Sequence, residues 1–126
     1  MDEKEVFEDQ ILSQQGVFLI VNRQMIPLAK SITTIGRHLE NDVVFHEDFL
    51  SRHHAEIVND EGKYVLYDKN STSGTFVNGK QVERCVLNSG DLISFANINI
   101  MFVNNNAKIQ FKSTGTTQTL RNPSDN

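Results

Sequence analysis

Between residues 17 and 104 the chain runs as short apolar stretches broken by turn residues: VFLIV, ITTIG, VVF, HAEIV, KYVLY, GTFVNG, LISF and INIMFV. Runs of this length bounded by Gly, Asn, Asp and Ser read as strands. HAEIV and KYVLY show apolar and polar alternation, and Asn59-Asp60-Glu61-Gly62 between them suits a hairpin connection. Val77-Asn78-Gly79-Lys80 predicts a second tight turn, because Asn and Gly take positive φ at low cost. No segment in this range sustains a helical period. The pattern therefore predicts an all-β sandwich of antiparallel sheets.

The ends read differently. Asp2, Glu3, Glu5, Glu8 and Asp9 make the first fifteen residues acidic, and Phe7 and Ile11 stand at i,i+4, which suits one short helix or an unstructured arm stopped by Gly16. After Phe102-Val103 the chain turns polar and ends STGTTQTLRNPSDN. Apart from Ile109 and Phe111, this tail lacks the apolar surface needed to offset its ordering entropy. The expected division is an acidic arm over 1–15, a folded domain over 16–104 and a threonine-rich tail over 105–126.

With 126 residues the chain has room for a single core. Its net charge of -4 gives the whole molecule no field that would attract nucleic acid or an anionic membrane surface, so any anion site must be local. Cys85 has no second cysteine to pair with, and no basic start is followed by an apolar run, so the expected compartment is the cytoplasm. Cys85 itself reads as a half-buried strand residue and not as a nucleophile. No stretch is apolar for the roughly 18 residues that a membrane span needs.

Three loop clusters between the predicted strands are rich in groups that suit a phosphate: Gly36-Arg37-His38, Ser51-Arg52-His53-His54 and Ser71-Thr72-Ser73-Gly74-Thr75. Arg offers a planar fork that matches phosphate oxygens, while hydroxyls and loop N–H groups complete the shell. A rigid sandwich holds such loops in place.

The order G-R, N-D-V-V-F, S-R-H-H-A-E-I and S-T-S-G-T-F-V-N-G resembles a forkhead-associated (FHA) domain over about residues 17 to 104. The resemblance implies an eleven-stranded antiparallel β sandwich that binds phosphothreonine peptides through loops at one end. By position, Arg37 resembles the family's main phosphate arginine and Ser51 its phosphate-bonding serine, with Arg52 and Thr72 as flanking contacts. Gly36 resembles a residue that leaves room for the turn, and His54 one that braces the loops without touching phosphate. Gly74 lies in the third loop as further support, and Asn78 with Gly79 resembles the turn that closes the neighbouring hairpin. Where the family commonly carries an Asn that grips the peptide main chain, this chain has Ser73, with shorter reach and one donor.

The resemblance implies an adaptor in Ser/Thr kinase signalling: its partner is a phosphothreonine protein, a kinase acts upstream, and no cofactor is required. An alternative is self-assembly, in which the domain captures a phosphorylated Thr116, Thr117 or Thr119 in the tail of another copy. Other classes fit less well. Gly74-Thr75-Phe76-Val77-Asn78-Gly79-Lys80 has the spacing of a nucleotide-binding loop, but Gln81 stands where Ser or Thr should meet the metal and no helix follows. Ser51, His54 and Asp91 sketch a hydrolase without nucleophile-elbow glycines. His38, His46, His53 and His54 lack metal-site spacing, so no metal and no catalytic residue are expected.

Overall fold

The computed structural model describes Ile11 and residues 15–106. The expectations for the acidic arm, for Ile109 and Phe111, and for Thr116, Thr117 and Thr119 lie outside the described residues. The chain divides into two units, Phe18–Val103 and a second made of Met1–Val17 with Asn104–Asn126. In the second unit, the Asn105 N–H donates to the Gly16 carbonyl at 2.9 Å and its side-chain amide to the Ile11 carbonyl at 3.1 Å.

Eleven strands are described: β1 (Val17–Val21), β2 (Gln24–Pro27), β3 (Ile32–Gly36), β4 (Val43–Val44), β5 (Ala55–Asp60), β6 (Lys63–Asp68), β7 (Phe76–Val77), β8 (Lys80–Gln81), β9 (Arg84–Val86), β10 (Leu92–Phe95) and β11 (Ile98–Asn104). They form a six-stranded sheet in the order β2-β1-β11-β10-β7-β8 and a five-stranded sheet in the order β4-β3-β5-β6-β9. The all-β sandwich expected from the sequence is the fold observed. Three of its strands, β2, β8 and β9, fall outside the apolar runs.

The two-residue side-chain period of a strand builds the core. Ile57 and Leu66 are cross-strand partners on the inner face of β5 and β6, while Val58 and Val65 pair on the opposite face. Leu19, Ile93, Phe95, Ile100 and Phe102 of one sheet, with Ile35, Ile57 and Leu66 of the other, are essentially inaccessible to solvent. The β5–β6 hairpin turns on Glu61 and Gly62 alone, at φ 51° and 90°, because Asp60 already pairs with Lys63. Asn59 and Asp60 therefore belong to the strand and not to the turn. Asn78 and Gly79 close the β7–β8 hairpin in the same two-residue manner.

One pairing departs from the antiparallel expectation: β3 and β4 run parallel, with Ile35 opposite Val43 and Gly36 opposite Val44. A direct hairpin would reverse the chain, but here residues 37–42 loop away and return before pairing. Buried Asn41 fixes that excursion through its side-chain amide, which donates to the carbonyls of His38 at 2.8 Å and Arg52 at 2.7 Å. Asp42 accepts from the Thr34 N–H at 2.9 Å and from Lys30 Nζ at 2.6 Å. The Lys30 hydrogen bond, then that of Thr34, holds the Asp42 carboxyl below its ordinary pKa.

Candidate functional site

Arg37 leaves the end of β3 at a point where two backbones nearly touch. A Cβ on Gly36 would lie 2.2 Å from the Arg52 carbonyl oxygen, so only glycine admits this approach. The close passage lets the Arg37 and His38 N–H groups donate to the carbonyls of Ser51 at 3.0 Å and Arg52 at 3.1 Å. The half-buried Arg37 side chain is then fixed by its own Nε, which donates to the Leu50 carbonyl at 3.1 Å. Its Nη groups remain without a protein acceptor among the described residues, so the fork is held at its base and open at its tip.

His54 is fully buried between the loops. Its Nδ1 accepts the Ser51 N–H at 3.1 Å and its Nε2 meets the Gly74 carbonyl at 2.9 Å. Because a carbonyl only accepts, the pattern requires a proton on Nε2 and a bare Nδ1. The ring thus joins the loop before β5 to the loop after β6, while its edge packs on Phe95 with centroids 4.7 Å apart.

The third loop is organised by Asp68, at the end of β6. Its carboxylate accepts from the Ser71 N–H at 3.0 Å, from the Ser71 hydroxyl, and from the buried Thr75 hydroxyl at 2.6 Å. Burial pushes this carboxyl up, but the Ser71 and Thr75 bonds together outweigh that and hold it below its ordinary pKa. Ser71 Oγ in turn accepts the Gly74 N–H at 3.1 Å. Gly74 sits at φ +91°, and a Cβ there would press within 2.8 Å of the Gln81 amide nitrogen.

The three loops enclose an open cleft of about 320 Å³ lined by Arg37, Asp48, Phe49, Leu50, Ser51, Thr72 and Ser73. Across it the Thr72 backbone N–H donates to Ser51 Oγ at 3.0 Å. That hydroxyl has its acceptor side engaged and its own hydrogen left to give. Ser73 differs: its Oγ donates to the Phe49 carbonyl at 2.8 Å, so its single hydrogen joins the loops and only its lone pairs face a ligand. The Arg37 cation, the Ser51 hydroxyl and the Thr72 hydroxyl meeting on one cleft suit an oxyanion.

Arg52 gives its carbonyl to His38 and Asn41, while its exposed side chain is not among the residues lining the cleft. Asn78 lies away from the cleft: its amide donates to Asp91 at 2.9 Å and its Oδ1 accepts the Leu92 N–H at 2.9 Å. These contacts tie the β7–β8 turn to β10. The sketched hydrolase does not assemble, since His54 bonds the backbone of Ser51 and not its hydroxyl, and Asp91 is engaged with Asn78 and Asn88. Among the described residues no group of three or more His, Cys, Asp or Glu side chains could hold a metal. No helix among them is long and apolar enough to cross a membrane.

Sequence reasoning missed Asp68, Asn41 and Asp48. For Asp68 a signal was present: Asp followed three residues later by Ser, just past a strand, has the spacing of a side-chain-capped turn.

The family model for the FHA domain matches residues 33–96. The ABC transporter ATP-binding/permease protein Rv1747 of Mycobacterium tuberculosis is 43% identical over 68 residues, covering 54% of this chain and 8% of that protein. The oxoglutarate dehydrogenase inhibitor of Corynebacterium diphtheriae is 34% identical over 76 residues, covering 60% of this chain and 53% of that protein. A solved structure from a study of phosphothreonine-dependent FHA domain interactions superposes with a TM-score of 0.67 at 29% identity, covering 71% of this chain and 96% of that one. The match thus spans about half of the inhibitor's length and a small fraction of the transporter's.

Proposed function

The chain belongs to the FHA domain family, and from that membership we propose that it is a phosphothreonine-reading module that binds a partner protein after a Ser/Thr kinase has modified it. The observation that carries this reading is the convergence of Arg37 and Ser51 on one cleft, the first anchored at its Nε and the second receiving the Thr72 N–H. Thr72 is a further contact, and Ser73 an acceptor for a peptide N–H. His54, Gly36, Gly74, Asn78 and Gly79 support the loops. A phosphate brings about -1.5 to -2 of charge. Each charge-assisted bond to it contributes about 1.5–3 kcal/mol.

The module recognises and does not transform. His54 bonds the Ser51 backbone N–H and not its hydroxyl, whose oxygen receives the Thr72 N–H, so the ring is not placed to activate that hydroxyl as a nucleophile. The role is that of an adaptor acting in the cytoplasm, where the kinase that writes the mark finds its ATP. Titration with peptides carrying threonine, phosphoserine or phosphothreonine at one position tests the reading. The phosphothreonine peptide should bind most tightly, and equal binding of the unmodified peptide would remove the proposal.

A second reading rests on Thr116, Thr117 and Thr119, which supply candidate phosphoacceptors within the same chain. In it, one copy binds the phosphorylated tail of another. Light scattering after kinase treatment separates the two: a mass increase lost on truncation after Asn106 favours self-recognition, and an unchanged mass favours an external partner.

A further inference from the structure

The loop between β4 and β5 carries two consecutive acidic residues, Glu47 and Asp48, both exposed. Asp48 lines the cleft that holds Arg37, Ser51 and Thr72. Glu47 lines a second open cavity of about 330 Å³, together with Asn22, Asn97 and Asn99. The Leu50 N–H donates to the Glu47 carbonyl at 3.1 Å, a tight turn that fixes the pair between the two cavities. Among the described residues neither carboxylate has an ion-pair partner. A cleft built to receive a dianion thus carries free negative charge at its own wall.

We infer that Asp48, aided by Glu47, selects the charge of the residues flanking the phosphothreonine, favouring Lys or Arg and rejecting Asp or Glu. The inference rests on the phosphothreonine reading above. Arg37 is engaged by the phosphate in that reading, so it does not neutralise Asp48. An extended peptide advances about 3.3 Å per residue, and residues within a few positions of the phosphate therefore pass over this short loop. A Lys or Arg there meets an unpaired carboxylate, and the amide-lined cavity beside Glu47 gives its long stem room. An acidic residue there meets like charge. The phosphate supplies the attraction common to all ligands, and the acidic pair ranks them.

The test uses the full chain and an alanine-based phosphothreonine peptide in which a single Lys or Glu is moved through the flanking positions, with binding followed by fluorescence anisotropy. At one position or more, the Lys peptide should bind about two- to fivefold more tightly than its Glu twin, the range expected of exposed charge pairs. The ratio should shrink as salt rises. In the double variant Glu47→Gln, Asp48→Asn the ratio should fall to about one, and the all-alanine phosphopeptide should bind somewhat more tightly, since a like charge near the phosphate is gone. An unchanged ratio in that variant, or a preference for Glu in the wild type, overturns the assignment. If the all-alanine phosphopeptide binds no better than its unphosphorylated twin, phosphate reading itself has failed and the inference falls with it.

Discussion

His54 holds Ser51 by its backbone: the ring Nδ1 accepts the Ser51 N–H at 3.1 Å, while Ser51 Oγ is turned toward the Thr72 N–H at 3.0 Å. One residue is thus fixed in place by a buried ring and presented to the cleft by a neighbouring loop. The two tasks fall on different atoms and are separable by mutation.

His54→Ala removes the acceptor of the Ser51 N–H and the partner of the Gly74 carbonyl, and leaves a cavity beside Phe95. A loss of about 2–4 kcal/mol in urea unfolding is expected from the buried unsatisfied groups and the void together. Phosphopeptide affinity should fall with it. Ser51→Ala should leave stability within about 1 kcal/mol and lower affinity alone. A His54→Ala protein as stable as wild type would show that the brace is not carried by this ring.

Gly36→Ala places a methyl carbon 2.2 Å from the Arg52 carbonyl oxygen, a backbone atom that cannot rotate aside. The expected cost is about 2–3 kcal/mol or more, as for other overpacked sites, and the Arg37 and Ser51 loops should separate. Thermal unfolding of this variant checks it. A midpoint unchanged from wild type would mean that the two loops approach less closely than observed.

Asp68 gives the site its response to acid. Burial raises this carboxyl, but the Ser71 and Thr75 hydrogen bonds outweigh that, so its folded pKa is lower than its unfolded one. A group of that kind contributes stability that is complete above the unfolded value and is lost as pH falls through the folded one. Asp42 has the same sign, through Lys30 and Thr34. The wild type should therefore lose stability below about pH 4, the ordinary carboxylate range. Asp68→Asn should be less stable at neutral pH and show a shallower acid slope. Equal slopes would mean that Asp68 is not held down by its loop.

Much of the fold was legible because burial leaves a periodic mark. VFLIV, KYVLY, INIMFV and all of HAEIV but its histidine lie in strands that reach the core, and the Asn78-Gly79 turn was readable from its backbone demands. The strands that left no mark bury little: both residues of β8 are exposed, and β2 has an exposed residue at each end. The parallel β3–β4 pair was hidden because its cause is Asn41, a polar residue whose partners stand three and eleven positions away.

At the candidate site, the resemblance pointed to Arg37, Ser51 and His54 by their order along the chain. Order does not give direction. Arg52 follows Ser51 directly, yet its side chain is not on the cleft, while Asp48, which in sequence looks like an ordinary solvated charge, is. Ser73 illustrates the same limit: its position was readable, but the commitment of its hydroxyl to Phe49 exists only once two loops have met.

The central claim is that Arg37 and Ser51 hold a phosphate. Its most direct test is a calorimetric titration of wild type and Arg37→Ala with one phosphothreonine peptide and its unphosphorylated twin, alongside a thermal melt of each protein. Arg37 contributes a single half-exposed backbone contact through Nε, so the variant should lose no more than about 1 kcal/mol of stability. The wild type should bind only the phosphorylated peptide, and the folded variant should bind it at least about tenfold more weakly, the loss of one charge-assisted bond or more. Wild-type affinity in a folded Arg37→Ala protein, or equal binding of the two peptides by the wild type, would contradict the account.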